Sequence, residues 1–319
     1  MKADQATART FKFCALAYID SHEAGWRNPK HAQQWRNTLE TYAYPLIGDL
    51  LVRDVGLPQV LAVLEPIWKT KTETASRLRG RLESVLDWST TRGYRSGLNP
   101  ARWKGHLDTV LPAPSAVANA GHHSALPVAA MGAFMQALRS QAGVGAPALE
   151  FTILTAARSG EVRGARWSEF DIDAGLWTVP GERMKSGKEH RVPLSGPALA
   201  ILRRLPRANA SDAVFASPRG GMLSDMSLSA VLRRMKVDAV PHGFRSTFRD
   251  WCAERTNYAR EAAEMALAHA IGDKVEAAYR RGDLFNKRVK MMADWGAFCA
   301  RTEADGGVVS IRKNARTAA

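Results

Sequence analysis

Leu176-Trp177-Thr178-Val179 and His190-Arg191-Val192-Pro193-Leu194 are two β-prone runs on either side of a polar turn, Met184-Lys185-Ser186-Gly187-Lys188. Branched and aromatic side chains fit a pleated surface, and the glycine-bearing turn lets the chain reverse, so the pair reads as a β section. Almost everything around it reads as helix. Upstream, Val128 to Gln141 and Ala146 to Ala157 carry helical apolar spacing. Downstream, helix is expected to about Ala300, interrupted by loops near Ser217 to Gly221 and at Ile271-Gly272. The spacing therefore predicts a mainly α domain with a small β-sheet over 128–300, followed by a polar, mobile tail over 301–319.

Working back toward the amino terminus, the composition changes between Pro112 and Pro127, where PAPSAVANAGHHSALP holds almost no large apolar residue. This reads as a linker over 112–127. His122 and His123 lie in it, and neighbouring histidines without further ligands are linker residues more often than a metal site. The first 111 residues form a second, helical domain. Phe11, Leu16, Ala17 and Ile19 fall near helical spacing, as do Trp35, Leu39 and Tyr42. Tyr44-Pro45-Leu46-Ile47-Gly48-Asp49 is expected to break the pattern, which resumes over Leu57 to Lys71 and Thr74 to Trp88.

Lys and Arg number 45 against 31 Asp and Glu in the 319 residues, a net charge of +14. A polyanion is the expected partner, nucleic acid before an anionic membrane. No run of about 18 apolar residues supports a membrane span, and the polar Met1 to Thr10 lacks the apolar centre of a signal peptide. Cys14, Cys252 and Cys299 are widely spaced and odd in number, which suits buried thiols in a reducing cytoplasm.

Basic and nucleophilic side chains concentrate in four segments: Leu154-Thr155-Ala156-Ala157-Arg158-Ser159-Gly160-Glu161, the turn with Lys185, His242-Gly243-Phe244-Arg245, and Leu267-Ala268-His269 through Tyr279. Singly, each has an ordinary explanation. Arg158 could cap a helix, Lys185 could be a solvated turn residue, His242 could start a helix, and Tyr279 could be a half-buried aromatic.

Together they resemble the tyrosine recombinase (phage integrase) family, and within it the prophage integrases, from about Phe11 to Phe298. LTAARSGEVRGARW resembles the first arginine box and HGFR the His-x-x-Arg box. ALAHAIGDKVEAAYRRGDLF resembles the segment joining the second histidine to the nucleophile, with Tyr279 ten positions after His269. The resemblance implies that Arg158 and Arg245 grip the scissile phosphate and that Tyr279 attacks it. His242 assists the tyrosine proton, and Lys185, rather than its rival Lys188, protonates the leaving 5′-oxygen. His269 bonds a phosphate oxygen, and Glu161 supports Arg158. Planar, permanently charged guanidinium suits the gripping role. Neither metal nor other cofactor is implied.

The same resemblance makes the first domain a core-type DNA-binding domain, with Arg77, Arg79, Arg81 and Lys104 as candidate phosphate contacts. It implies double-stranded DNA at attachment sites as partner, a homotetramer on DNA that associates weakly alone, and accessory DNA-bending or directionality proteins. An amino-terminal arm-binding domain, frequent in prophage integrases, is expected to be missing. Ala165 stands where the first box usually has leucine, a change expected to be tolerated. Leu284, Met291, Trp295 and Phe298 recur near heptad spacing on the last helix. Such a stripe packs either on its own core or on a neighbour, and the resemblance favours exchange with a neighbouring subunit. A type IB topoisomerase and a DNA-binding remnant that no longer cuts are the alternatives.

Overall fold

The computed structural model describes residues 8–26, 29–117, 124–207, 212–269 and 282–301. It divides into two compact units, Met1–Gly121 and His122–Ala319.

In the first unit α1 (Phe11–His22) starts at Thr10, whose hydroxyl accepts the Phe13 amide at 3.2 Å and so satisfies one of the unpaired donors of the first turn. Then come α2 (Pro29–Tyr42), α3 (Tyr44–Ile47), α4 (Leu57–Trp68) and α5 (Thr72–Thr91). Phe11, Ile19, Leu39, Leu64, Leu78 and Leu82 are all fully buried in one apolar core. Two expectations are corrected here. The segment around Pro45 forms a helical turn, because proline in the first turn removes an amide that has no helical acceptor anyway. The helix expected over Leu57 to Lys71 ends at Trp68, and the next starts at Thr72.

The stretch read as a linker is anchored at both ends. Trp68 Nε1 donates to the Pro112 carbonyl at 3.0 Å, and α6 (Pro114–Val117) brings Val117 against the first core. Leu126 is buried in the second core. His122 and His123 lie outside the described residues.

The second unit opens with α7 (Met131–Arg139), α8 (Gly145–Thr155) and α9 (Ser159–Arg163), followed by β1 (Phe170–Asp171), β2 (Leu176–Val179) and β3 (His190–Pro193). The strands form an antiparallel sheet in the order β1-β2-β3, with Phe170 opposite Trp177 and Val179 opposite His190. The hairpin reading holds, and β1 adds a strand too short to display any alternation in sequence. Helices α10 (Gly196–Arg204), α11 (Ser227–Arg234), α12 (Gly243–Arg255), α13 (Arg260–Ala266) and α14 (Phe285–Ala300) complete the unit.

Helix α8 is the central element: every residue from Ala148 to Thr155 is buried. Its two threonines, Thr152 and Thr155, turn their hydroxyls back onto the carbonyls of Ala148 and Phe151, both at 2.7 Å, so neither enters the core unpaired. Helix α14 packs against α8. Met291 and Trp295 are fully buried, Trp295 Nε1 donates to the Ile153 carbonyl at 2.9 Å, and its ring meets Phe248 and Trp251 with centroids 5.4 and 5.1 Å away. Leu284 and Phe298 lie partly buried on the same core. The expected exchange of this stripe is therefore corrected: its own domain supplies the partner surface. The three cysteines are buried and unpaired, as the sequence suggested. Among the described residues no helix is long and apolar enough to cross a membrane.

Candidate active site

Helix α8 ends because Ala156 takes the left-handed conformation, φ 50° and ψ 20°. The chain turns there, and Arg158 in extended backbone starts α9. Glu161, buried in the first turn of α9, accepts twice from Arg158: from its amide at 2.9 Å and from Nη1 at 2.8 Å. A carboxylate at this end of a helix is also favoured by the helix dipole. Arg158 is thus fixed at both main chain and side chain, while its guanidinium stays partly accessible, 24% exposed.

Arg245 comes from the first turn of α12 and is buried, 5% exposed. Its Nη1 donates to the Ala156 carbonyl, its Nη2 to the Leu267 carbonyl, and Nη2 lies 3.2 Å from His269 Nε2. Arg158 Nη2 donates to the next carbonyl along, that of Ala268, at 3.2 Å. Ala268 has φ 48°, a second left-handed residue just past the end of α13. The carbonyls left without helical partners at the end of α13 therefore become the acceptors that aim both arginines. Among the described residues Arg245 Nε is buried without a hydrogen-bond partner. Burial first, and the Arg158 charge second, lower the Arg245 pKa to about 10, which still leaves it cationic at neutral pH.

His269 follows directly. Its Nδ1 is 2.7 Å from Glu264 Oε2, while Glu264 Oε1 accepts from Arg249 Nε at 2.7 Å. Burial opposes ionisation of Glu264, but its bonds to Arg249 and His269 outweigh that and hold its pKa below the usual value. The carboxylate assigns the His269 proton to Nδ1 and leaves Nε2 facing Arg245. His242, exposed at the head of α12, lines a cleft of about 410 Å³ with Arg245, Ser246, Arg249, Leu267 and His269.

The structure thus pairs Arg158 with Glu161 and Arg245 with His269, links the two pairs through the Ala268 and Leu267 carbonyls, and lines one cleft with Arg245, His269 and His242 but not Arg158. Lys185 is exposed on the hairpin turn and is not part of the cleft lining. Tyr279 lies outside the described residues. Among those residues no group of three or more His, Cys, Asp or Glu side chains could hold a metal.

In the first unit the four basic candidates differ. Arg77 and Lys104 are exposed, Arg77 in an ion pair with Glu73 at 2.7 Å. Arg79 is half-buried, paired with Glu83 and donating to the Ala101 carbonyl. Arg81 is buried, donates to the Gln34 carbonyl at 2.8 Å and stacks over the Trp35 ring. Burial lowers its pKa. Arg81 holds α5 to α2, so it does not face solvent as a phosphate contact would.

One site neighbour escaped the sequence reading. His190, at the start of β3, senses Glu161, Arg158 and the Ala266 backbone, and its pKa falls to about 4 because it is buried and, next, because Arg288 is close. It is neutral in the folded protein at pH 7. An unfolded chain binds this proton near pH 6.5, so the folded state gains stability above that pH and loses it as pH falls toward 4. The loss is up to about 3 kcal/mol for a shift of this size. In denaturant titrations at pH 7 and pH 4.5, His190→Gln should lose distinctly less stability on acidification than the wild type. An equal loss would show that His190 does not carry this titration.

Comparison with known proteins is consistent with this arrangement. Residues 11–106 match the model of the phage integrase central domain, and residues 126–283, which span every candidate from Arg158 to Tyr279, match that of the phage integrase family. The chain is 30% identical over 295 residues to the prophage integrase IntZ of Escherichia coli (strain K12), covering 90% of this chain and 70% of that protein. It is 27% identical over 318 residues to the integrase of Enterobacteria phage P4, covering 93% and 70%. A solved lambda integrase tetramer bound to a Holliday junction shares the fold, with a TM-score of 0.66 at 16% identity over 84% of this chain and 80% of that one. With the two arginine boxes meeting at the consecutive carbonyls of Leu267 and Ala268 and this match along nearly the whole chain, the protein belongs to the phage integrase family and is an enzyme of the tyrosine recombinase type.

Proposed function

We propose that this protein is a site-specific DNA recombinase that cuts and rejoins strands through a 3′-phosphotyrosyl intermediate, for integration or excision of a mobile element. The observation that carries the reading is the pair of guanidiniums, Arg158 and Arg245, held by the consecutive carbonyls of Leu267 and Ala268 beside a cleft lined by two histidines. Two fixed cations held by neighbouring carbonyls suit a phosphodiester whose non-bridging oxygens gain charge in the transition state.

In this mechanism the Tyr279 oxygen attacks phosphorus as its proton passes to His242. The bond from phosphorus to the 5′-oxygen breaks, and the Lys185 ammonium delivers a proton to that oxygen. Arg158 and Arg245 stabilise the pentacoordinate phosphorus. His269, oriented by Glu264, bonds the same phosphate when both of its ring nitrogens carry a proton. Reversal by a different 5′-hydroxyl rejoins the strand, and the phosphotyrosine conserves the bond energy. The substrate is double-stranded DNA. The lambda integrase, which shares this fold, is a tetramer when bound to a Holliday junction, and the same assembly is proposed for this chain on DNA. Arg77 and Lys104 are the basic candidates in the first unit positioned on its surface for phosphate contacts.

The test uses nicked candidate attachment-site DNA in the presence of EDTA, denatured in detergent and resolved for a covalent protein–DNA band. The wild type is expected to form the band and Tyr279→Phe to form none. A band that persists in Tyr279→Phe would mean a different nucleophile. Specific binding without any band would identify a protein that occupies sites but does not cut.

A further inference from the structure

Lys185 sits in a loop that is tightly built. After β2, the backbone passes through a short 3-10 turn, Gly181–Arg183, and Met184 is buried, 6% exposed. The Gly187 amide then donates to the Met184 carbonyl at 3.0 Å, which closes a turn with Lys185 at its second position. Gly187 has φ 70°, and the Gly187 carbonyl packs so closely on Gly181 that a Cβ there would meet it at 2.8 Å. The side chain of Lys185 is exposed, but the main chain that bears it is anchored on its preceding side.

Arg183 supplies that anchor. Its guanidinium bridges two elements: Nη1 donates to the Glu169 carboxylate and Nη2 to the backbone carbonyl of Glu161. Glu161 is the residue that holds Arg158, and its carbonyl is one of those left without a helical acceptor role at the end of α9. Glu169 is itself fixed. Its side chain is 7% exposed, and its other oxygen accepts from Trp177 Nε1 at 2.9 Å. Trp177 is fully buried and stacked on Phe170, with centroids 5.3 Å apart and rings inclined by 7°. Gly164 leaves the passage, since a Cβ there would lie 3.1 Å from Arg183 Nη2. A planar fork with donors on two faces can make this bridge, and a lysine in the same place cannot.

We infer that Arg183 is a positioning residue, which sets the Lys185 turn at a fixed place against the Arg158–Glu161 pair and so delivers the general acid to the leaving oxygen. The inference rests on the strand-transfer function proposed above. Arg183 touches neither phosphate nor tyrosine and acts through Lys185.

The test separates a misplaced acid from a damaged fold by changing the leaving group. In DNA with sulfur in place of the scissile 5′-oxygen, the bond from phosphorus to sulfur breaks and a thiolate departs without needing a proton, because a thiol is far more acidic than an alcohol. Lys185→Ala is the reference: slow on ordinary DNA, restored on the sulfur substrate. Arg183→Met is expected to slow adduct formation on ordinary DNA by roughly a hundredfold, the scale of a displaced catalytic group. It should return to within a few-fold of wild type on the sulfur substrate, with DNA affinity unchanged and Arg183→Lys intermediate. Because Arg183→Met strands a buried carboxylate, Arg183→Met/Glu169→Gln is run beside it. The double variant should show the same rescue.

If Lys185→Ala is rescued but both Arg183 variants stay slow on sulfur, the inference is wrong while the function stands. If both Arg183 variants lose cooperative unfolding, the bridge belongs to the fold and the inference is equally overturned. If Lys185→Ala itself is not rescued, the assignment of the general acid fails, and the inference about Arg183 goes with it.

Discussion

Arg245→Lys is expected to slow covalent-adduct formation by roughly a hundredfold to a thousandfold, the usual consequence of losing a preorganised donor to a developing oxyanion, while binding to the same DNA weakens only a few-fold. The charge survives this substitution, so what is lost is geometry. Arg245 reaches three acceptors from one plane: the Ala156 carbonyl, the Leu267 carbonyl and the ring of His269. An ammonium on a flexible stem cannot span them, and it desolvates at greater cost in so buried a place. Total DNA affinity sums many phosphate contacts, so removing one transition-state interaction leaves most of it. Single-turnover trapping on nicked DNA gives the rate, and fluorescence anisotropy with the same duplex gives the affinity. A rate within threefold of wild type would remove Arg245 from the phosphate grip. A large drop in affinity with an unchanged rate once bound would make it a binding residue instead.

Trp295→Ala should destabilise the isolated protein by about 3–5 kcal/mol, the range for emptying a large aromatic site in a close-packed core. The ring lies between Phe248 and Trp251, and its Nε1 pairs with the Ile153 carbonyl, which would lose one of its two donors and be left with the Ala156 amide. Because Ile153 belongs to α8, the helix that leads through the Ala156 turn to Arg158, weakened packing here also loosens the site. Denaturant unfolding at a protein concentration where the chain is monomeric is the measurement. A change below about 1 kcal/mol would mean that the α14 stripe is not packed on its own domain, and the exchange first expected for it would return.

The last helix also marks where sequence reading stops. Leu284, Met291, Trp295 and Phe298 announce an apolar stripe by spacing alone. Burying a given apolar area has the same value whichever molecule supplies the opposing surface, so spacing cannot say whose core receives it. The hairpin was legible because glycine in a polar turn between branched residues is local information. The two arginine boxes were legible as motifs, yet the carbonyls that aim them were not, since any residue carries a carbonyl. His190 and Arg183 were missed for a related reason: their partners, Ala266, Glu161 and Glu169, lie at long or unpatterned separations.

Arg81 was legible and misread. Arg77 and Arg81, four apart, share one side of α5 while Arg79, two from each, points elsewhere, so the three never formed one basic face. Arg81 lies at the margin of the buried stripe of Leu78, Leu82 and Val85, and its contacts with the Gln34 carbonyl and the Trp35 ring of α2, invisible to periodicity, are what bury it.

The hold of Leu267 and Ala268 on both arginines has a consequence for how this enzyme tolerates change. The acceptors are main-chain atoms, so the letters at these positions carry no acceptor chemistry of their own, and many replacements would leave the grip in place. The shape of the turn is another matter. At Ala268, with φ 48°, glycine or asparagine enters without strain and a β-branched residue does not. Sequence drift through this turn is therefore filtered by backbone conformation, and two arginines from separate helices depend together on the shape of one short turn.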